Sequence, residues 1–416
     1  MNGSTLAVHE LSYVPEGDDE VLVGRLDTGS YAVFPADGAQ LLRRLSEGMA
    51  LDEAAAWYEA TFDEPVDLDD FVATIRELGF VRTGGTDETE AAAAPPRFRR
   101  TARAVFSPAA WLGYLAVVVL WAFAVARHSD LRPAASQIFF VKSLLVVQLV
   151  ITFGQVPLLL AHEGFHILAG RRLGLPTKLR LSNRLTYIVA ETQTNGLMSV
   201  ERRKRYLPFL AGMLCDLVVL ALLDLIATST RDSGGGLSLT GRVCLALGFT
   251  VVMRILWQFQ LYLRTDLYYV FATALHCYDL HDASKAVLRN RVWRLLRRPQ
   301  RQVDVSRWSE QDRRVGTFYG PFILLGFCVL AAITVFASIP VTVGYVRIAA
   351  HALGSGRVDA HFWDSLLSLV LNAGQLTALI VLARRKRRGQ RPPAAAPGAA
   401  DAHRAAPSSP TAPIEG

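Results

Sequence analysis

The chain has 416 residues, 51% of them hydrophobic, and a formal net charge of +7, with a mean hydropathy of +0.26. That is too apolar for an ordinary soluble protein of this size and points to an integral membrane protein. The positive charge invites a nucleic-acid reading, but its placement argues against one. It gathers beside apolar stretches, at Arg99, Arg100 and Arg103, at Arg202, Arg203, Lys204 and Arg205, and at Arg384 to Arg388, as cytoplasmic flanks of membrane helices do.

Residues 1–83 read as a small N-terminal α/β domain. Stretches 20–26 and 30–34 alternate apolar with polar residues around Asp27-Thr28-Gly29, a hairpin turn signal. Leu41, Leu42 and Leu45 fit one face of a short helix. A second helix begins at Leu51-Asp52-Glu53, with acids at its positive end. A third is expected over 67–78, and Phe80-Val81 as a closing strand. Two strands followed by three helices suggest a winged-helix-like arrangement. Residues 84–104 have the composition of a linker.

Residues 105–383 form the expected membrane domain, mostly α and polytopic. Six apolar stretches lie near 109–126, 139–169, 206–227, 243–263, 318–341 and 362–383. The second contains Gly154 and Pro157, so it reads either as one kinked helix or as two segments. The basic, Ala/Pro-rich residues 384–416 are expected to be disordered. The polar start predicts no cleavable signal peptide, so insertion begins at the first internal span. Loops 170–205 and 264–317 are rich in arginine and the others are poor in it. This predicts a cell-membrane protein in the lipid bilayer with both termini cytoplasmic. Cys215, Cys244, Cys277 and Cys328 show no CxxC pairing and read as small, buried, unpaired thiols.

The chemistry lies in Ala161-His162-Glu163-Gly164-Phe165-His166, an HExxH pattern inside an apolar segment. On a helix, His162 and His166 stand one turn apart and can present two imidazole nitrogens to one metal. Glu163 can take a proton from a water on that metal. Zinc suits two imidazoles, one carboxylate and an open position. Three ionisable side chains so close together in a membrane segment are costly unless paired or ligated. The third ligand is sought among the acids. Asp266, just past the inner end of the fourth stretch, matches His162 in depth. Asp216, about ten residues into the third and thus on the order of 15 Å deep, is the alternative. Asp224 is too near the outer end. Arg254 reads as a partner of Asp216 or another acid, or as a catalytic group. Gln258 and Gln260 read as helix-packing groups, one of them a candidate for binding substrate backbone.

The ordered segments His162-Glu163-Gly164-Phe165-His166, Ala211-Gly212-Met213-Leu214-Cys215-Asp216 and Thr265-Asp266-Leu267-Tyr268-Tyr269 resemble the site-2 protease family of intramembrane zinc metalloproteases. The resemblance covers roughly 105–300. It implies Asp266 as third zinc ligand, Glu163 as catalytic base and peptide-bond hydrolysis as the activity, of the peptide-maturation type. Met213 stands where that family has Pro, Asp216 where it has Asn, and Leu267 where it has Gly. The N-terminal domain resembles the PqqD-like peptide-recognition element, which implies capture of a leader peptide by strand addition. Two other readings remain: regulated intramembrane proteolysis of a signalling protein, and a non-catalytic transporter or immunity protein.

Overall fold

The protein is described here from a computed structural model covering residues 5–16, 19–25, 28, 30–82, 97–184, 187–194, 196–306, 308–354 and 358–389. The Asp27 and Gly29 positions of the expected turn, linker residues 84–96 and tail residues 390–416 lie outside them.

The N-terminal domain is an antiparallel meander of β1 (Ser12–Pro15), β2 (Glu20–Gly24) and β3 (Tyr31–Pro35) in the order β1-β2-β3. Helices α1 (Ala36–Ser46), α2 (Leu51–Phe62) and α3 (Leu68–Glu77) follow. The apolar triplet Leu41, Leu42 and Leu45 is fully buried. Leu42 meets Val23, Phe34, Ile75 and Phe80, whereas Leu41 and Leu45 meet Ala54 and Tyr58. Asp67 caps α3 by accepting from the Asp70 N–H at 3.1 Å, which closes one of the free donors at a helix start. Two expectations change. Strand β1 is an addition, because four residues are too few for alternation to stand out. Phe80-Val81 is not a strand: Val81 makes a single bridge to Val8, and Phe80 is buried in the core.

Helix α4 (Arg99–Val105) occupies the end of the segment read as a linker. It leads into α5 (Pro108–Arg127), capped by Ser107 with Pro108 in its first turn, where proline's missing N–H costs nothing. Then come α6 (Leu144–Arg172), the hairpin β4 (Thr177–Arg184) and β5 (Tyr187–Thr194), α7 (Arg202–Ser229), α8 (Leu239–Trp257), α9 (Asp266–Ala274), α10 (Leu280–Leu295), α11 (Glu310–Ile333), α12 (Ile339–Gly354) and α13 (Ala360–Gly389). A π-helical stretch, Thr334–Ser338, joins α11 to α12. Among the described residues, six helices are long and apolar enough to cross a membrane: Pro108–Arg127, Leu144–Arg172, Arg202–Ser229, Leu239–Trp257, Leu325–Gly354 and Ala360–Leu382. The protein is thus a multi-pass helical membrane protein with a small N-terminal α/β domain.

Span two is one helix, continuous through Pro157. Its N-terminus is closed by Ser143 and by Asp364 of span six, whose Oδ2 accepts from the Leu144 N–H at 2.8 Å. Span four ends at Trp257, six residues before the apolar composition does. Span five continues to Gly354, well past residue 341. The hairpin 177–194 replaces what composition reads as a basic connector. Spans three and four hold many of the buried residues, including Ala211, Cys215, Asp216, Ala246 and Val251. Leu112, Leu115 and Phe123 of span one and Val370 and Leu376 of span six are exposed. Apolar side chains so placed face lipid. Cys328 also departs from expectation: it is exposed in span five, while the other three cysteines are buried.

The ends of the bundle differ. At one, Arg231 of the α7–α8 connector pairs with both carboxylate oxygens of Asp130, each at 2.9 Å. At the other, the N-terminal domain docks on the start of α7 and the segment before it. There Glu16 pairs with Arg205, both buried, and the Tyr31 hydroxyl lies 3.1 Å from Ser199 Oγ.

Candidate metal centre

Helix α6 carries His162, Glu163 and His166, all buried. One turn of helix separates the two imidazoles, and their Nε2 atoms converge to 3.2 Å. Asp266, the first residue of α9, brings Oδ2 to 3.2 Å from His166 Nε2 and 3.6 Å from His162 Nε2. Ligands about 2.0–2.2 Å from one tetrahedral ion stand about 3.3–3.6 Å apart. The three atoms therefore form one face of a tetrahedron of the size zinc takes, and these residues are a group able to hold a metal ion.

The loop between α8 and α9 sets the third corner. Thr265 Oγ1 donates to the Gln258 carbonyl at 2.6 Å, and Gln258 Oε1 accepts from the Asp266 N–H at 3.1 Å. Gln258 thus ends one helix and starts the next, a use of the residue that its packing interpretation overlooks. Gln260 is fully buried, and its amide has no hydrogen-bond partner among the described residues. Burial alone would raise the pKa of the Asp266 carboxyl. The charge of the two imidazoles and their hydrogen bonds outweigh burial and hold it well below the usual carboxylate range.

The outer ring nitrogens have different partners. His166 Nδ1 lies 2.7 Å from the Pro208 carbonyl of α7. His162 Nδ1 lies 3.0 Å from Asp216 Oδ2. Asp216 thus stands behind His162, outside the three-residue group. Arg254 of α8 grips Asp216, with Nε at 3.1 and 3.0 Å from its two oxygens and Nη2 at 2.5 Å from Oδ1. Asp224 lies elsewhere on α7, accepting from Trp121 Nε1 at 2.7 Å.

Gly212 is the backbone's contribution. A Cβ there would stand 2.2 Å from His166 Nε2 and 2.5 Å from His162 Nε2, among the ligand atoms. Only glycine lets α7 approach both rings and leaves that space open. The signal was present in Ala211-Gly212, but nothing in the sequence aims it at the imidazoles.

Comparison of the chain with family models, curated proteins and solved structures finds no match to any of them.

Proposed function

We propose that this protein is an intramembrane zinc metalloprotease that processes a ribosomally synthesised peptide. The observation that carries the proposal is the triangle of His162 and His166 on span two with Asp266 at the start of α9, and Glu163 beside the two histidines on their helix.

His162, His166 and Asp266 would hold the zinc. When bound, zinc lowers the pKa of water and polarises a carbonyl. Glu163 accepts the proton of the attacking water and delivers it to the departing amide nitrogen, so the peptide bond breaks with no net proton change. Gly212 keeps the space before the rings clear, and Gln258 keeps Asp266 aimed at them. The N-terminal domain would capture a leader peptide by strand addition, on the cytoplasmic side of the cell membrane with both chain termini.

The test is zinc content of the purified full-length protein beside His162→Ala, Asp266→Ala and Asp216→Ala. One zinc per chain, lost with His162 and Asp266 but retained with Asp216, is expected. A wild type that takes up no zinc refutes the protease reading and favours a non-catalytic membrane function.

A further inference from the structure

We infer that Asp216, held by Arg254, is a positioning residue that orients His162 and strengthens it as a ligand; this rests on the metal reading above. The imidazole of His162 is held from both sides. Its Nε2 faces Asp266 and His166, while Nδ1 faces Asp216 Oδ2 at 3.0 Å. That approach is off the ring's N–H axis, and Nδ1 has no other partner among the described residues. The Asp216 carboxylate is therefore the acceptor to which the Nδ1–H turns. A carboxylate there fixes the tautomer with the Nε2 lone pair towards the metal and raises the basicity of that nitrogen.

The two histidines are backed unequally. His166 leans on the neutral Pro208 carbonyl, His162 on a carboxylate. Asp216 is fully buried, and its oxygens are shared between Arg254 and His162. The guanidinium fork serves two ends: it compensates a charge otherwise untenable at this depth, and it fixes the carboxylate plane by two-point contact. Arg254, Asp216 and His162 thus form a chain across spans four, three and two that ends at the metal position. It explains an aspartate that is neither ligand nor base. A purely structural ion pair between spans three and four would have no need of the histidine nitrogen.

The test separates these roles. In Asp216→Asn/Arg254→Gln, a neutral hydrogen-bonding pair replaces the ion pair, so the contact between spans three and four survives and only the charge behind His162 is lost. The full-length protein is expected to melt as wild type in excess chelator. At saturation it should still bind one zinc, but about 10- to 100-fold more weakly in chelator competition. The visible bands of its cobalt(II) form should also shift. Should the double variant not fold, Asp216→Glu keeps the charge and moves the carboxylate; weakened zinc binding with unchanged melting is expected. Wild-type affinity in the folded variant overturns the inference alone. Loss of stoichiometric zinc in Asp216→Ala, with zinc retained in Asp266→Ala, makes Asp216 the ligand and also overturns it. A wild type without zinc overturns the metal reading and this inference with it.

Discussion

Replacing Gly212 by alanine tests the metal centre through a residue that carries no chemistry of its own. The added methyl would lie 2.2 Å from His166 Nε2 and 2.5 Å from both Cε1 and Nε2 of His162. Helix α7 cannot simply withdraw, because neighbouring Ala211 is fully buried against Phe106 and Ala169. The imidazoles must move, and the atoms that move are the ligand atoms. Overpacking of this kind costs about 1–3 kcal/mol, while alanine regains about 1 kcal/mol of helix propensity over glycine. Without metal the rings can swing aside, so the apo protein should melt near the wild type. With metal they must stay, and the strain converts to about a 5- to 140-fold loss of zinc affinity. The control is Gly164→Ala in the same HExxH helix, where a Cβ meets nothing within 4 Å and affinity should hold. Chelator competition on both variants reads the difference. Equal affinity in Gly212→Ala and wild type would refute the geometry argued here.

Three further outcomes follow from the same structure. Glu163→Gln should keep one zinc per chain and lose about 100- to 10,000-fold in cleavage of a fluorescein-labelled unfolded protein, the range removed with a general base; retained cleavage would exclude Glu163 from that role. Glu16→Gln leaves the Arg205 guanidinium buried without its counter-charge, at a cost of about 3–5 kcal/mol. Hydrogen exchange in Ser12–Pro15 and Leu197–Ser199 should accelerate together, and unchanged protection would show that the pair does not hold the domain. His281 of α10 has its pKa pushed down to about 4 by burial and by Lys285 and Arg264, against the opposing charge of Asp282. The unfolded chain then binds the extra proton more readily between about pH 6.5 and pH 4, so stability should fall as pH falls through that window. His281→Asn should flatten that slope in a melting-temperature series.

Much of the centre is legible because helical periodicity and depth are one-dimensional properties. HExxH puts two imidazoles on one face whatever the tertiary structure. Counting how far each span has travelled favours Asp266 over Asp216 as the acid beside them. What depth does not encode is direction around a helix axis: Asp216 and Asp266 both come within reach of His162, and only packing decides which ring nitrogen each faces. The end of span four illustrates another limit. Residues 258–263 remain largely apolar in composition, yet the helix stops at Trp257, and the backbone carbonyl and side chain of Gln258 bind Thr265 and Asp266. Hydropathy weighs side chains and is blind to such backbone bonding. The hairpin 177–194 was hidden differently, since its arginines and lysine read as a membrane flank and mask the alternation beneath.

In the proposed reading, the docked N-terminal domain bears on how a captured peptide would reach the candidate metal centre. Arg205, which holds Glu16, and Gly212, which faces both imidazoles, are seven residues apart on α7. That is about 10 Å along the helix axis, a gap that three or four extended residues span. The same junction meets α9 from its other end, where Arg202 donates to the Ala274 carbonyl at 3.4 Å, while the first residue of α9 is Asp266. A leader held on the domain would therefore deliver the following residues at high effective concentration. Little chain would need to be ordered for the transfer, which keeps the entropic cost of bringing a scissile bond into the bilayer small. In the proposed protease, recognition at the surface and chemistry at depth are thus joined by one short stretch of α7, with the buried Glu16–Arg205 pair at its outer end.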